Sequence, residues 1–182
     1  RFDVHDPPPR DYDFVFVDKE GVRKDVHIRI GVVSDTRYRI ASFTDISQEV
    51  RAREKLEANE RRFRELYENA PVGIFTSSPE GRYLMANTRL AEVYGYDTPD
   101  RLLEDVSSIQ QQIYVDPEER EKLVQRLGKG ETVQGHESRR RKGDGSLIWV
   151  STNMRGVRDE TGKLLRIEGF TTDITRQKLA EK

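Results

Sequence analysis

Apolar and polar residues alternate along two stretches of the chain, one near each end. In the first stretch, Val26, Ile28, Ile30 and Val32 alternate with polar residues, which is the period of a half-buried strand. The first stretch runs from YDFVFVDKEGVRKDVHIRIGVV to FTDIS, and the second from HESRRRKGDGSLIWVSTNMRGV to FTTDIT. Each predicts a strand, a glycine turn, a strand, a second turn and a third strand, so the chain contains an internal repeat.

Only the second copy of the repeat is preceded by further predicted elements. Residues 73–76 and 83–86 are predicted to pair as a hairpin. Two glycines, Gly95 and Gly128, suit helix ends. Three residues suit helix N-caps: Asn87, Thr98 and Asp116. The order strand-strand-helices-strand-strand-strand predicts an α+β domain with an antiparallel sheet.

Between the two copies, a stretch without proline or glycine predicts one long helix from Ile46 to about Asn69. A thin a/d seam of apolar residues follows it: Ala52, Leu56, Phe63, Leu66 and Ala70. Two interpretations stay open, since the helix could pair with its twin in a homodimer or lie on a sheet. We favour the homodimer, whose contacts would be Leu56, Phe63 and Leu66.

Composition then narrows the classes of function. The chain has 182 residues, a net charge of −1 and interspersed charges of both signs, which is unlike the basic surface of a nucleic-acid binder. It has no cysteine, so disulfides, thiolate metal sites and thiol nucleophiles are excluded. No apolar run reaches the ~20 residues of a membrane span. Because the chain begins with Arg1 and not with methionine, we expect it to be a piece of a longer protein. We expect this piece to be cytoplasmic and to make no contact with a membrane.

Catalytic and metal-binding patterns are absent from the sequence. His5, His27 and His136 do not have the spacing of metal ligands, and the short glycine turns do not have the spacing of a phosphate loop. We therefore expect no enzymatic activity and no metal site in this chain.

The end of each repeat copy predicts a strand joined directly to a helix. Asp45-Ile46-Ser47 and Asp173-Ile174-Thr175 occupy corresponding positions. Each aspartate can cap the helix that follows, and Gln48 suits the partner position of a capping box. The simplest interpretation is a cap that only stabilises the helix. The repetition instead favours an exit through which a shift of the last strand changes the helix.

Comparison of the two copies also singles out one polar strand face. Aligning Gly21 with Gly145 places His136, Ser138 and Arg140 where the first copy has aromatic residues: Tyr12, Phe14 and Phe16. A buried arginine or histidine without partners would cost several kcal/mol. Either this strand is open to water, or the three side chains converge on a polar ligand.

Such a ligand would be anionic or rich in acceptors, because arginine can only donate hydrogen bonds. Four further residues are candidates for the apolar walls of the pocket: Met85, Tyr94, Tyr96 and Trp149. The alternative for each of them is ordinary core packing. Trp149 alternates out of phase with Val150, so a flanking helix or a partner subunit is a second location for it.

The ordered set of segments resembles the PAS family of sensory domains. The segments are NAPVGIFTSSPEGRYLMAN, YGYDTPDRL, RRKGDGSLIWV, RDETGK and FTTDIT. The resemblance covers residues 69–175 completely and 11–47 as half a domain. It implies a five-stranded antiparallel sheet with helices on one face, enclosing a core that can hold a small molecule.

The resemblance also implies an organisation and a role. The organisation is the C-terminal three-stranded half of a first PAS domain (1–47), a helical linker (48–69), a complete second PAS domain (70–175) and the start of an output helix (176–182). The role is a signal input that acts through its exit on a downstream effector in the same chain, with a sensor histidine kinase as the favoured parent. The alternatives are a ligand-free dimerisation or spacer module, or the input domain of a diguanylate cyclase.

Two cofactor chemistries of the family can be checked by residue. Blue-light PAS relatives use a flavin-reactive cysteine, which this chain does not have. Haem-binding relatives often use a histidine on the helix before the third strand, and the matching residues 116–127 contain none. A noncovalent flavin or a small polar or anionic metabolite stays open.

Overall fold

The computed structural model describes residues 11–33 and 38–181, and the chain divides into two compact units, Arg1–Phe63 and Arg64–Lys182. His5 and most of the second turn of the first repeat copy lie outside the described residues.

The first unit contains a three-stranded antiparallel sheet in the order β1-β2-β3. Its strands are β1 (Asp11–Val17), β2 (Arg23–Val32) and β3 (Arg39–Asp45). Val26 and Ile28 are its buried apolar residues, in agreement with the alternation along β2. Gly21 adopts φ 82° in the β1–β2 turn, a conformation that glycine reaches without strain.

The predicted long helix is present as α1 (Ser47–Glu68). Ala70 lies beyond its end, so this member of the expected apolar seam is not helical. Leu56 and Leu66 are 59% and 66% exposed. The seam therefore lies open along α1, and its use in a homodimer stays a prediction.

The second unit contains a five-stranded antiparallel sheet in the order β5-β4-β8-β7-β6. Its strands are β4 (Gly73–Ser77), β5 (Tyr83–Ala86), β6 (Thr132–Arg141), β7 (Leu147–Arg158) and β8 (Leu164–Asp173). Its helices are α2 (Thr88–Tyr94), α3 (Pro99–Asp105), α4 (Ile109–Gln112), α5 (Pro117–Gly128) and α6 (Thr175–Ala180). The predicted α+β fold class, with one five-stranded and one three-stranded antiparallel sheet, is confirmed.

Helices α2 to α5 and the sheet enclose the core of the second unit. Alternate residues of β7, among them Val150, Thr152 and Met154, are buried on one face of the sheet, which we call the inner face. The core between this face and the helices includes several fully buried apolar side chains: Leu90, Leu102, Val106, Ile113, Leu127 and Ile167. The intervening residues of β7 belong to the outer face.

The predicted helix caps account for where the helices begin. Thr98 Oγ1 accepts a hydrogen bond from Arg101 N, and Asp116 Oδ1 accepts one from Glu118 N. Gly95 ends α2 with φ 78°. Helix α4, which is only four residues long, was not predicted.

Asn87 is a cap that connects four parts of the second unit. It is fully buried, and its Oδ1 accepts hydrogen bonds from Leu90 N at 3.0 Å and Ile74 N at 2.8 Å. Its Nδ2 donates to Tyr67 O at 2.9 Å and Val72 O at 3.0 Å. One side-chain amide thus joins the end of α1, the following loop, β4 and the start of α2.

Replacing Asn87 with alanine should lower the free energy of unfolding by about 3 kcal/mol. The variant loses a helix cap and leaves buried backbone groups without partners, which cost about 1–3 kcal/mol each. The matched control is Thr98→Ala, which removes one exposed cap and should cost about 1 kcal/mol. Urea unfolding of both variants measures the difference, and equal losses would contradict the bridging role of Asn87.

The exposed seam of α1 generates a second prediction. Leu56→Glu combined with Leu66→Glu should weaken self-association at least about tenfold, because burying a leucine at an interface contributes roughly 1.5–3 kcal/mol. Sedimentation equilibrium measures the effect. Arg61→Glu, on the opposite side of the same helix, is the control. If the double variant sediments like the unmodified chain, the seam takes no part in dimerisation.

Candidate functional site

The first repeat copy ends in a junction fixed by hydrogen bonds. Ile46 N donates to Asp25 O at 2.9 Å, and Ser47 Oγ accepts from Asp25 N at 2.9 Å. Asp45 Oδ1 accepts from Ser47 N at 3.0 Å and from Ser47 Oγ at 2.6 Å. These bonds from Ser47 hold the pKa of the Asp45 carboxyl below its usual value. The end of β3 is thereby tied to both β2 and the first residue of α1.

The second copy ends in the same arrangement. Ile174 N donates to Trp149 O at 2.9 Å, and Thr175 Oγ1 accepts from Trp149 N at 3.0 Å. Asp173 Oδ1 accepts from Thr175 N at 2.8 Å. Three of the four hydrogen bonds described for the first junction have counterparts here, whereas the bond from the Ser47 hydroxyl to Asp45 has none among the described contacts of Thr175. The two copies therefore share most of one local structure.

Both aspartates accept a hydrogen bond from the backbone N–H two residues further on. The prediction that Asp173 caps α6 is wrong, since Ile174 is the N-cap residue and makes no side-chain cap bond. The predicted capping box is also not found. Among the described residues, Gln48 makes no side-chain hydrogen bond back to Asp45. The side chains of Ser47 and Thr175 act on the preceding strand instead, through the backbone of Asp25 and Trp149.

Helix α6 is also held by a side-chain contact. Lys178 Nζ lies 2.6 Å from Glu137 Oε2 of β6 and 6.0 Å from the centre of the Trp149 ring. The hydrogen bond to Glu137 raises the pKa of Lys178. Trp149 therefore lies beside the flanking helix, which was the second of its expected locations, and it does not line the core cavity.

His136, Ser138 and Arg140 lie side by side on the inner face of β6, opposite Thr152, Val150 and Ile148 of β7. A carboxylate from α5 meets them. Glu119 Oε1 lies 2.7 Å from His136 Nε2 and 3.0 Å from Arg140 Nη2. The polar strand face thus converges on an internal acceptor, an arrangement that was not foreseen.

Arg140 is the most buried charged group described, with 2% of its surface exposed. Its guanidinium carbon lies 3.7 Å from the centre of the Tyr114 ring, a cation–π contact, and Nη1 donates to Arg139 O at 3.0 Å. Nη2 is within ion-pair distance of Glu119, but its N–H bonds have no acceptor in hydrogen-bond geometry among the described residues. Arg140 is therefore paired in charge but not fully hydrogen-bonded.

A second buried arginine approaches the same ring. Arg120 of α5 is 4% exposed, lies 5.9 Å from the centre of the Tyr114 ring and donates from Nη2 to Ser78 O at 3.2 Å. In the described ranges, no carboxylate lies within ion-pair distance of it.

Between the two arginines lies a small internal cavity of about 10 Å³, room for about one water molecule. It is lined by Phe75, Tyr83, Tyr94, Ile109, Tyr114, Arg120, Arg140, Thr152, Met154 and Thr171. Burial raises the pKa of Tyr94 to about 12 and raises the pKa of Tyr83 well above its usual value, so both hydroxyls are neutral. An open groove of about 480 Å³ lies elsewhere, along β4, β6, β7 and β8.

The structure brings together only part of the expected pocket. Tyr94 lines the cavity, whereas Met85 is 48% exposed and lies outside it. Tyr96 lies near Gly143, is partly buried and packs against the hydrophobic core, outside the cavity. Sequence reasoning missed Tyr114, Glu119 and Arg120, although Arg120, Leu123 and Leu127 follow the spacing of one helix face.

The described part of the chain contains no group of three or more acidic or histidine side chains that could hold a metal ion. Among the same residues, no helix is long and apolar enough to cross a membrane.

A family model described as PAS fold matches residues 83–171. The second unit contains these residues; it is similar to PAS domains and has their fold.

Solved structures agree with this assignment. The PAS domain of an HTR-like protein from Haloarcula marismortui is 25% identical, with a TM-score of 0.56 over 68% of this chain and 98% of that chain. A domain of a sensory box sensor histidine kinase/response regulator from Geobacter sulfurreducens is 25% identical, with a TM-score of 0.51 over 65% and 96%. A sensory box histidine kinase/response regulator from Burkholderia thailandensis shares the fold at 24% identity, with a TM-score of 0.51 over 66% and 89%.

The pKa of Glu119 generates a prediction about pH. Burial by itself raises this pKa, but the contacts with His136 and Arg140 outweigh it, so the net shift is downward from the usual 4.5. A carboxyl with a depressed pKa stabilises the fold above its unfolded-state pKa, and this contribution is lost as the pH falls through the folded-state value.

Glu119→Gln should therefore destabilise the chain at pH 7 by roughly 1.5–3 kcal/mol, the contribution of a hydrogen bond to a charged group. The loss should shrink as the pH falls below the usual glutamate value of 4.5. Urea unfolding across this pH range measures it, with the exposed neighbour Glu118→Gln as control. A loss that does not change with pH would show that the Glu119 carboxylate charge contributes nothing.

Proposed function

We propose that this chain is the sensory input module of a multidomain signalling protein, in which a change in the core of the second unit reaches an effector through the exit junction. The observation that carries the proposal is the shared hydrogen-bond pattern of the two junctions. A pure helix cap needs only the aspartate, whereas Ser47 and Thr175 also bind the neighbouring strand. The exit helix is thus tied to the sheet at more than one point.

Strand β6 supplies one connection from the core to the exit. His136 and Arg140 contact Glu119 on the inner face, and Glu137 between them binds Lys178 of α6 on the outer face. A shift of β6 that changes the inner contacts also moves the partner of Lys178.

Strand β7 supplies a second connection. Val150 is fully buried in the core, and the adjacent Trp149 uses both its backbone N–H and its C=O to hold the junction. Two neighbouring strands therefore each have a core residue next to an exit residue.

The favoured effector is a histidine kinase in the same chain, and the favoured assembly is a cytoplasmic homodimer that binds neither nucleic acid nor membrane. The Geobacter domain, which belongs to a sensor histidine kinase/response regulator, supports the effector. The second candidate is a ligand-free dimerisation or spacer module. The cavity of about 10 Å³ favours it, because the core is almost filled by side chains.

The proposal is tested by fusing the chain through α6 to the catalytic core of a histidine kinase. One to seven residues are inserted after Ala180, and autophosphorylation is measured. A rigid exit helix should make activity rise and fall with a period of about 3.5 residues, that of a parallel coiled coil. Asp173→Ala should flatten this periodicity while the domain stays folded.

Asp159→Ala is the matched control. Like Asp173, Asp159 accepts a hydrogen bond from the backbone N–H two residues further on, Thr161 N at 2.9 Å, but it lies in the turn before β8. It also accepts one from Thr161 Oγ1 at 2.6 Å. Asp159→Ala should retain the periodicity. Activity that is independent of insertion length in the unmodified fusion would overturn the proposal in favour of the spacer, and an Asp173→Ala fusion with full periodicity would reduce Asp173 to an ordinary local contact.

A further inference from the structure

The core of the second unit contains more positive charge than its carboxylates balance. Arg120 and Arg140 are 4% and 2% exposed. Arginine side chains carry a positive charge in proteins. Glu119 is the carboxylate that reaches them among the described residues, and it lies against Arg140 and His136. Arg120 has the carbonyl of Ser78 and the distant face of Tyr114 as polar partners.

Such an imbalance is costly in a protein interior. Moving a charged group out of water costs several kcal/mol unless an opposite charge and full hydrogen bonding compensate it. A single carbonyl compensates one of the donors of Arg120, and Arg140 Nη2 has no acceptor in hydrogen-bond geometry among the described residues. Arg120 therefore lacks a negative partner among the described residues, and Arg140 has one, Glu119, that it shares with His136.

The internal cavity lies where such a partner would fit. Arg120 and Arg140 both line it, together with donors from three tyrosines and two threonines: Tyr83, Tyr94, Tyr114, Thr152 and Thr171. Tyrosine and threonine hydroxyls can donate to an acceptor, and none of these side chains carries a negative charge at neutral pH. The lining therefore suits an anion.

The size of the cavity restricts which anion it can hold. A volume of about 10 Å³ accommodates one water-sized group. A carboxylate, phosphate or nucleotide would require large displacement of the core. A monatomic ion needs only a small adjustment, and Met154, whose side chain is flexible, also lines the cavity.

We propose that the second unit binds one monatomic anion, of the size of chloride, between Arg120 and Arg140. The inference deepens the proposed function and rests on it, since it names the class of ligand that the sensory core would take. Binding would join Arg120 of α5 to Arg140 of β6, the strand that also holds Lys178 through Glu137. Binding or release of the anion would then change the position of β6, the strand whose Glu137 contacts the exit helix.

The first test compares thermal unfolding of the chain in sodium chloride and in sodium gluconate at equal ionic strength. A chloride concentration tenfold above Kd should raise Tm by about 3–6 °C relative to gluconate. Arg120→Gln should abolish the difference between the two salts. The control Lys122→Gln, an exposed residue on the same helix, should keep it.

The second test does not depend on a variant that folds. Crystals of the unmodified chain grown in sodium bromide should show a bromine anomalous peak within about 3.5 Å of nitrogen atoms of both arginines, a hydrogen-bond distance lengthened by the larger ion. A cavity with ordinary water density and no anomalous peak, together with equal Tm values in the two salts, would overturn the proposal.

These outcomes are separate from those of the kinase fusion. Anion binding is measured on the chain without an effector, so a failed fusion leaves it unaffected. Conversely, a cavity that holds only water would contradict the anion proposal, but it would not change the expected result of the kinase fusion.

Discussion

The ion pair between Glu119 and Arg140 is the contact on which the organisation of the second unit depends. A guanidinium group this deeply buried is tolerated only if an opposite charge and an aromatic face are brought to it. Glu119 provides the charge from α5, and Tyr114 provides the face. The same carboxylate oxygen also binds His136. One acceptor on α5 therefore contacts two residues of β6, His136 and Arg140, and fixes the position of the helix on this strand. The packing of the helices on the sheet is therefore set by a polar contact as well as by apolar burial.

Strands β6 and β7 each have two different faces, because successive residues of a strand point to opposite sides of the sheet. On β7, Val150 lies in the core and the adjacent Trp149 binds the exit junction. On β6, Arg140 contacts Glu119 on the inner face, whereas Glu137 binds Lys178 of α6. The junctions after β3 and β8 each join a strand end to the start of a helix through an aspartate. The PAS fold of the second unit and the geometry of these contacts both support the proposed sensory role.

Much of the fold could be predicted from the sequence, because its signals are local. The alternation along β2, the caps at Asn87 and Thr98, and the glycine that ends α2 all depend on residues close in the chain. The site was harder to predict, because its partners are distant. Glu119 and Arg120 occur in a charged run at a helix start, where acids usually face solvent. Only the fold brings them to Tyr114 and β6. Met85 was wrongly expected in the pocket because a hairpin strand alone does not reveal which of its faces is covered.

The buried amide of Asn87 connects the helix that precedes the second unit to its sheet. One of its four hydrogen bonds, from Nδ2 to Tyr67 O, holds the last turn of α1, the helix that precedes the domain in the chain. Rotation or translation of α1 would change the position of the Asn87 amide, which also accepts hydrogen bonds from Ile74 of β4 and Leu90 of α2. Hydrogen bonds therefore hold both the helix that precedes the domain and the helix that follows it. A displacement of the last turn of α1 would therefore act on the Asn87 amide that β4 and α2 also use.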